Sequence, residues 1–230
     1  MVRRNENIEL EDLSISADRP LPAPDANNYE FERTSLLQIA AARLGKEPFP
    51  SVTIANIASD ANVPEKIVRS HFLDMHEVGS AVLDHERSSM RNVQQRVSKM
   101  RINPLDQLAA AFQIVGENLS KDIVVRAGVR IAAESRDYFP ERRLDPFKTW
   151  EDFVNSQLSR ACDLGLIRVD VELSEITWII VAAGIGSKEF FTISNTWHTA
   201  PDRLESTLRN IIALISPSEA GMPGAVRENR

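Results

Sequence analysis

The chain predicts an all-α protein: an N-terminal three-helix head containing a helix-turn-helix, joined by one long helix to a larger helical body. Three observations carry this expectation. Residues 53–72 read as two short helices about a tight turn. Apolar residues recur at helical spacing before that segment and for most of the chain after it. Asn103-Pro104, Asp145-Pro146 and Gly165 punctuate the second half with helix starts and a helix stop.

Taken in order, residues 1–29 are polar and hold Pro20, Pro22 and Pro24 beside Glu6, Glu9, Glu11 and Asp12, the composition of a disordered arm. Leu36, Leu37, Ala40, Ala41 and Leu44 then form one helical stripe. Ile54, Ile57, Ala58 and Ala61 form the next, with Thr53 as N-cap and Asn62 placed to end it in a left-handed conformation. Val63 turns inward and Pro64 suits a first helical position. Ile67, Val68 and Phe72 make the inner side of the following helix, which leaves Glu65, Lys66, Arg69 and Ser70 facing out. Two helices crossing over a tight turn, the second polar on its outer side, can present that second helix to a DNA major groove. This head is expected to span 30–76.

The body is expected to span 77–216, with a disordered tail over 217–230. A long helix is read over 77–100, then one from Asn103-Pro104 to about Asn118. Asp145-Pro146 opens a helix carrying Phe147, Trp150, Val154, Leu158 and Cys162, and Gly165 ends it. Residues 171–194 form an apolar helix in which Trp178, Ile179, Val181, Ala182, Ile185 and Gly186 leave little polar face, so burial on several sides is expected. The last helix starts at Thr199 and ends near Ser216, with Leu204, Leu208, Ile211, Ile212 and Ile215 on one side. Residues 123–131 and 166–173 are rich in β-branched side chains and are strands by propensity alone. The second is read as a loop leading into a helix.

Composition limits the function classes. A chain of 230 residues accommodates a small head and one larger core. A lone cysteine, Cys162, excludes an intramolecular disulfide framework and is expected as a buried core thiol between Leu158 and Leu166. No charged-then-apolar leader opens the chain, and the longest apolar run falls short of the roughly 20 residues of a membrane span. A cytoplasmic location, with no membrane partner, is the expectation. His71, His76, His85 and His198 lack metal-ligand spacing, and the stretch from Gly184 to Lys188 lacks the spacing of a phosphate loop. Neither a catalytic residue, a metal nor a cofactor is expected. Small residues in that stretch suit close approach of another helix.

The head resembles the tetracycline-repressor (TetR) family of bacterial regulators. That family shows an aromatic after a turn, small hydroxyls, an Ile-Ala pair, a Gly-Val hinge and a terminal His-Phe or Tyr-Phe. Here Phe49, Thr53, Ile57-Ala58, Asn62-Val63 and His71-Phe72 stand in those places. In the body, Asp122-Ile-Val-Val-Arg-Ala-Gly-Val-Arg130 followed by Asp145-Pro-Phe-Lys-Thr-Trp150 resembles the γ-butyrolactone receptors and pseudo-receptors of actinomycetes. The likeness runs over roughly residues 34–215.

The resemblance implies that 123–131 is helical. It also implies a homodimer formed by the last two helices as a four-helix bundle, reading a near-palindromic double-stranded operator. The function it implies is a DNA-binding repressor of antibiotic or secondary-metabolism genes, released by a small lactone- or furan-type ligand and associated with the nucleoid. Candidate DNA contacts are Arg33, Thr53, Glu65, Lys66, Arg69, Ser70 and His71. Trp150 is carried over as the ligand contact, although as a helical tryptophan it suits a core position equally well. Phe112, Val115, Ile131, Phe147 and Val154, with Phe153, are expected around it. Trp178 reads as packing, and Trp197 as part of the loop before the last helix.

Two departures matter. The family usually offers Lys, Gly and Tyr on the recognition helix, where Glu65, Lys66 and Arg69 stand here, and Met75 replaces a lysine common at the start of the next helix. Residues 30–77 hold five Lys/Arg against seven Asp/Glu, so the head is net acidic, the reverse of what phosphate binding rewards. An alternative is therefore kept: a dimer of this fold whose DNA binding is weakened or lost and which acts as ligand binder or protein partner.

Overall fold

The computed structural model describes residues 26–217. The expected arm over 1–25 and the tail over 218–230 lie outside the described residues. Among the described residues nine α-helices follow one another and there is no strand. The head holds α1 (Ala26–Leu44), a short 3₁₀ turn (Phe49–Ser51), α2 (Ile54–Ala61) and α3 (Glu65–His71). The connecting helix is α4 (Met75–Ser98). The body holds α5 (Pro104–Lys121), α6 (Ile123–Glu134), two 3₁₀ turns (Arg136–Tyr138 and Pro140–Arg142), α7 (Pro146–Asp163), α8 (Leu173–Ser194), a 3₁₀ turn (Trp197–Thr199) and α9 (Ala200–Ile215).

Caps account for most of the boundaries. Asp74, Asn103, Asp122 and Asp145 each accept a hydrogen bond from a backbone N–H in the first turn of the helix they precede. Residues 123–131, ambiguous by propensity, lie in α6 because Asp122 caps both Val124 and Val125 and the helix buries Val124, Val125, Ala127 and Ile131. Residues 166–172 precede α8 without regular structure, with Ile167 buried.

Helix α1 begins earlier than the apolar stripe suggests. Residues 26–29, expected in the arm, form its first turn. Tertiary contacts hold it there: the Tyr29 hydroxyl donates to the Ser70 carbonyl at 3.2 Å, and its ring stacks on His71 at 4.3 Å.

Head and body do not have separate cores. Leu36, Leu37, Leu44, Ile57, Val68 and Phe72 share one cluster with Val78, Val82 and Leu83 of α4 and Val124, Ala127 and Ile131 of α6. Phe139, between the two 3₁₀ turns, enters the same cluster fully buried, edge-on to Phe49 at 5.0 Å. Gly79 makes room for it, since a Cβ there would lie 2.4 Å from the Phe139 ring and 2.7 Å from Phe49. Arg142 secures the loop on α4 through a two-pronged pair with Asp84 at 2.7 and 3.2 Å. A second cluster joins α5, α7, α8 and α9 through Leu108, Val154, Leu158, Ile180 and Leu208.

Three packing expectations are overturned. Cys162 is exposed. The buried side of α7 centres on Val154, Gln157, Leu158 and Ala161, and at about 100° per residue Cys162 falls a quarter-turn outside it. Ile67, expected inside, is 36% exposed because Val68 and Phe72 already fill the inner arc of so short a helix. Helix α8 has two distinct sides: Thr177, Ile180, Val181 and Phe191 enter the body, whereas Trp178 (64% exposed), Phe190 (74%) and Ile193 (84%) face outward. By length and composition α8 would also satisfy the requirements of a membrane span, yet one side is seated in protein and carries Lys188.

Candidate DNA-facing surface and apolar cavity

The α2–α3 pair is fixed by local chemistry. Thr53 and Asn56 form a reciprocal capping box, the Thr53 hydroxyl accepting from Asn56 N–H at 3.2 Å and the Asn56 side chain accepting from Thr53 N–H at 3.0 Å. Asn62 adopts the left-handed conformation, φ 54° and ψ 42°, and Val63 N–H closes the turn on the Ala58 carbonyl at 3.0 Å. Helix α3 is thereby turned with Glu65, Lys66, Arg69 and Ser70 exposed.

The candidate contacts do not all share that surface. Lys66 makes no ion pair among the described residues. Arg69 lies 3.6 Å from Glu65 and donates to the Leu73 carbonyl at 3.2 Å. Ser70 turns its hydroxyl back to the Ile67 carbonyl at 2.7 Å. Thr53 is exposed, but its hydroxyl is committed to Asn56 at 2.8 Å. Arg33, half-buried, lies over the Phe72 ring at 4.6 Å and so roofs the head core.

His71 is removed from the set of DNA contacts. Its side chain is only 2% exposed, stacked under Tyr29, with Nε2 3.3 Å from the Glu32 carboxylate. An imidazole so enclosed ties α3 to α1 and cannot reach a duplex. Its Nδ1 has no hydrogen-bond partner among the described residues.

Charge pairing explains how an acidic head can keep a usable surface. Arg43 of α1 is held by Asp60 of α2 at 2.7 and 2.8 Å and by Glu47 of the intervening loop at 2.8 Å. The Arg43 hydrogen bonds hold the Asp60 carboxyl below the ordinary carboxylate range. Arg43 offsets one of these two carboxylates, and the face of α3 is left with Lys66, Arg69 and Glu65.

In the body, α4 to α9 line an apolar cavity of about 120 Å³. Phe112, Val115 and Leu119 come from α5, Phe147 and Trp150 from α7, Val181, Gly184, Ile185 and Lys188 from α8, and Leu204 from α9. Helix α4 supplies Glu86 and Met90, and α6 supplies Val129 and Ala133. Trp150 meets Phe112 edge-on at 6.1 Å and Phe153 at 5.7 Å. Among the described residues only the Phe112 ring approaches Gly184, so there its small size serves the cavity rather than a helix crossing.

Of the expected pocket residues, Phe112, Val115, Phe147 and Trp150 come together; Ile131 and Val154 do not line the cavity. Val129 and Ala133, one turn apart, are the residues of α6 that do, and Ile131 points the opposite way into the head cluster. Val154 lies a turn beyond Trp150, where α5 and α8 close over it. Phe153 sits behind the Trp150 wall.

Sequence reasoning passed over Glu86 and Lys188. Glu86 occupies an inward position of α4, four residues after Val82 and four before Met90, and a carboxylate in that stripe was the available signal. It lies across Gly128, whose absent Cβ would sit 2.4 Å from the Glu86 Cβ. Among the described residues it has no hydrogen bond and no ion pair. Burial pushes its carboxyl up to about 7, against the opposing charge of Arg87. Lys188 is already paired with Glu189 at 3.0 Å. No group of three metal-ligating side chains is gathered among the described residues.

No protein-family model and no curated protein sequence matches the chain. Solved structures do. CprB of S. coelicolor A3(2), described as a TetR family protein, aligns with a TM-score of 0.71 at 20% identity, over 83% of this chain and 91% of that one. The chain has the TetR fold. A gamma-butyrolactone receptor, an ArpA-like protein, aligns at 0.64 and 19% identity, over 82% of this chain and 97% of that one. TylP of Streptomyces fradiae, described as a TetR regulator, aligns at 0.57 and 20% identity, over 83% and 89%. Within the TetR fold, the apolar cavity adjoins the two helices that also build the core beneath the helix-turn-helix.

Proposed function

We propose that the chain is a homodimeric, ligand-responsive DNA-binding regulator of the γ-butyrolactone-receptor type. In this reading it is a cytoplasmic repressor of antibiotic or secondary-metabolism genes, released from its operator by a small lactone- or furan-type signal. One observation carries it. Helices α4 and α6 each present residues to the cavity (Glu86 and Met90; Val129 and Ala133) and others to the core under α2–α3 (Val82 and Leu83; Ala127 and Ile131). Movement of either helix at the cavity therefore moves the head.

The cavity's size supports a switch. At about 120 Å³ it is smaller than the roughly 300–1,000 Å³ of drug-sized ligand sites, so an occupant seated wholly inside it must spread its walls. Spreading α4 and α6 changes the separation of two heads related by symmetry, and a two-fold dimer reads DNA only when its recognition helices lie about 34–36 Å apart. A coupling of roughly 1–3 kcal/mol, some 5–150-fold in affinity, is typical of such transitions. The outward side of α8, Trp178, Phe190 and Ile193, with Leu214 of α9, supplies the apolar face on which the second copy docks.

The test is retardation of the gene's own upstream DNA in a gel, with and without candidate lactones shown by calorimetry to bind. Operator affinity unmoved by a ligand that binds would refute the switch. A second reading is favoured by the Glu65–Arg69 pair and the acidic head: a ligand binder or protein partner with weakened DNA contact. Under it, no retarded band forms even at low salt.

A further inference from the structure

A second, larger cleft of about 540 Å³ lies in the seam between head and body. Lys46, in the loop after α1, borders it from the head; Arg126 and Arg130 border it from α6, and Lys188 from α8. Two of these cations are met. Arg130 is held by Glu134 at 2.8 Å and Lys188 by Glu189 at 3.0 Å, the carboxylates (45% and 55% exposed) standing further out than the cations (24% and 12%). The other two are not met. Among the described residues neither Lys46 nor Arg126 makes an ion pair. The acids whose charge they feel are taken: Asp60 by Arg43 at 2.7 and 2.8 Å, and Asp122 by His85 at 2.6 Å.

Arg126 is held in place without being neutralised. It lies over the Trp197 ring at 5.4 Å, and one terminal nitrogen donates to the Leu119 and Ser120 carbonyls at 3.0 and 3.3 Å. Its remaining N–H groups have no acceptor among the described residues. A partly buried cation without a counter-charge is costly until an anion meets it.

We infer that this cleft is an anion site, taking a phosphate dianion either free or as a small monoester. Charge decides the class. Two uncompensated cations match the nearly two negative charges that a phosphate group carries at neutral pH, whereas a carboxylate brings one. The volume lies within the roughly 300–1,000 Å³ of small-molecule sites and cannot admit a duplex. Trp197 is engaged by Arg126 and by Phe191 at 5.7 Å, so recognition rests on the phosphate rather than on a stacked base. Lys188 and Thr192, which line the cleft, lie at least a quarter-turn around α8 from Phe190 and Ile193, off the face on which the second copy docks. Phosphate binding here requires nothing of the apolar cavity.

Calorimetry on the full chain, at low salt in a phosphate-free buffer, tests this with ribose 5-phosphate, inorganic phosphate, acetate and ribose. At least one of the two phosphates is expected to bind about tenfold or more tightly than acetate, and ribose not at all. A tighter ester assigns the monoester and a tighter inorganic ion the free phosphate; either supports the site. Lys46→Gln and Arg126→Gln should each weaken the better phosphate about tenfold. The Lys46 side chain is exposed and makes no hydrogen bond among the described residues, so its variant decides the matter if Arg126→Gln, which also gives up two carbonyl contacts, does not fold.

Phosphates that bind no more tightly than acetate would overturn the inference. So would an affinity unchanged in Lys46→Gln, or an equal loss in Lys66→Gln, which would place the phosphate on α3. Each of these results would leave the proposed regulator standing.

Discussion

Glu86→Gln should change the pH dependence of folding in a direction fixed by the site. In the folded chain burial raises the carboxyl from 4.5 to about 7. In the unfolded chain it titrates near its ordinary value. Between these two values the folded state holds a proton that the unfolded state has released, so stability falls as pH rises through the window and stays reduced above it. At about 1.36 kcal/mol per unit the full shift corresponds to roughly 3 kcal/mol. Glu86 keeps some contact with solvent in the cavity, and that screening reduces the expected loss to about 1–2 kcal/mol. Glutamine has nothing to titrate. Urea unfolding of both proteins at equal concentration, followed by far-UV circular dichroism from about pH 5 to about pH 8, measures the difference. The variant's stability relative to native should rise by about 1–2 kcal/mol across the window, and the histidines, present in both, should cancel from the difference. A difference that is flat, or that grows toward low pH, would refute the assignment of Glu86 as a buried carboxyl without a partner.

Three further outcomes are expected. Phe139→Ala empties the wedge between Gly79 and Phe49 and should cost about 3–5 kcal/mol in urea unfolding, and a loss below about 1 kcal/mol would show that the loop does not brace the head. Glu65→Ala frees Arg69 from its 3.6 Å partner and removes a carboxylate from the face of α3, so operator affinity by fluorescence anisotropy should rise several-fold; a fall would mean that Glu65 itself contacts a base, as an acceptor from cytosine. Trp178→Glu with Phe190→Asp places two charges on the outward side of α8 and should leave a monomer in sedimentation velocity, whereas an undiminished dimer would show that the copies meet elsewhere.

Local rules were enough for the helix-turn-helix and most helix boundaries. Thr53, Asn62, Asn103 and Asp145 act on their immediate neighbours, so their effect is written within a few residues of the chain. Four residues of the cavity wall were also legible: Trp150 through the resemblance of residues 145–150 to the butyrolactone receptors, and Phe112, Val115 and Phe147 as apolar side chains able to gather near it. His71 shows the limit. Its position at the end of α3 suggested a DNA contact, and only the path of α1, which lays Tyr29 and Glu32 over the ring, buries it.

Helical periodicity says which residues share a side and is silent on what that side meets. So the sequence alone settled an all-helical chain with an exposed short helix bearing Lys66 and Arg69. It did not settle that Ile131 turns from the cavity into the head while Val129 and Ala133 line it, that Cys162 is exposed, or that half of α8 faces outward. Those outcomes follow from the crossing of α4 and α6 beneath the head and from the docking of α8 on α7. They depend on residues far apart in the chain, and no local pattern encodes that distance.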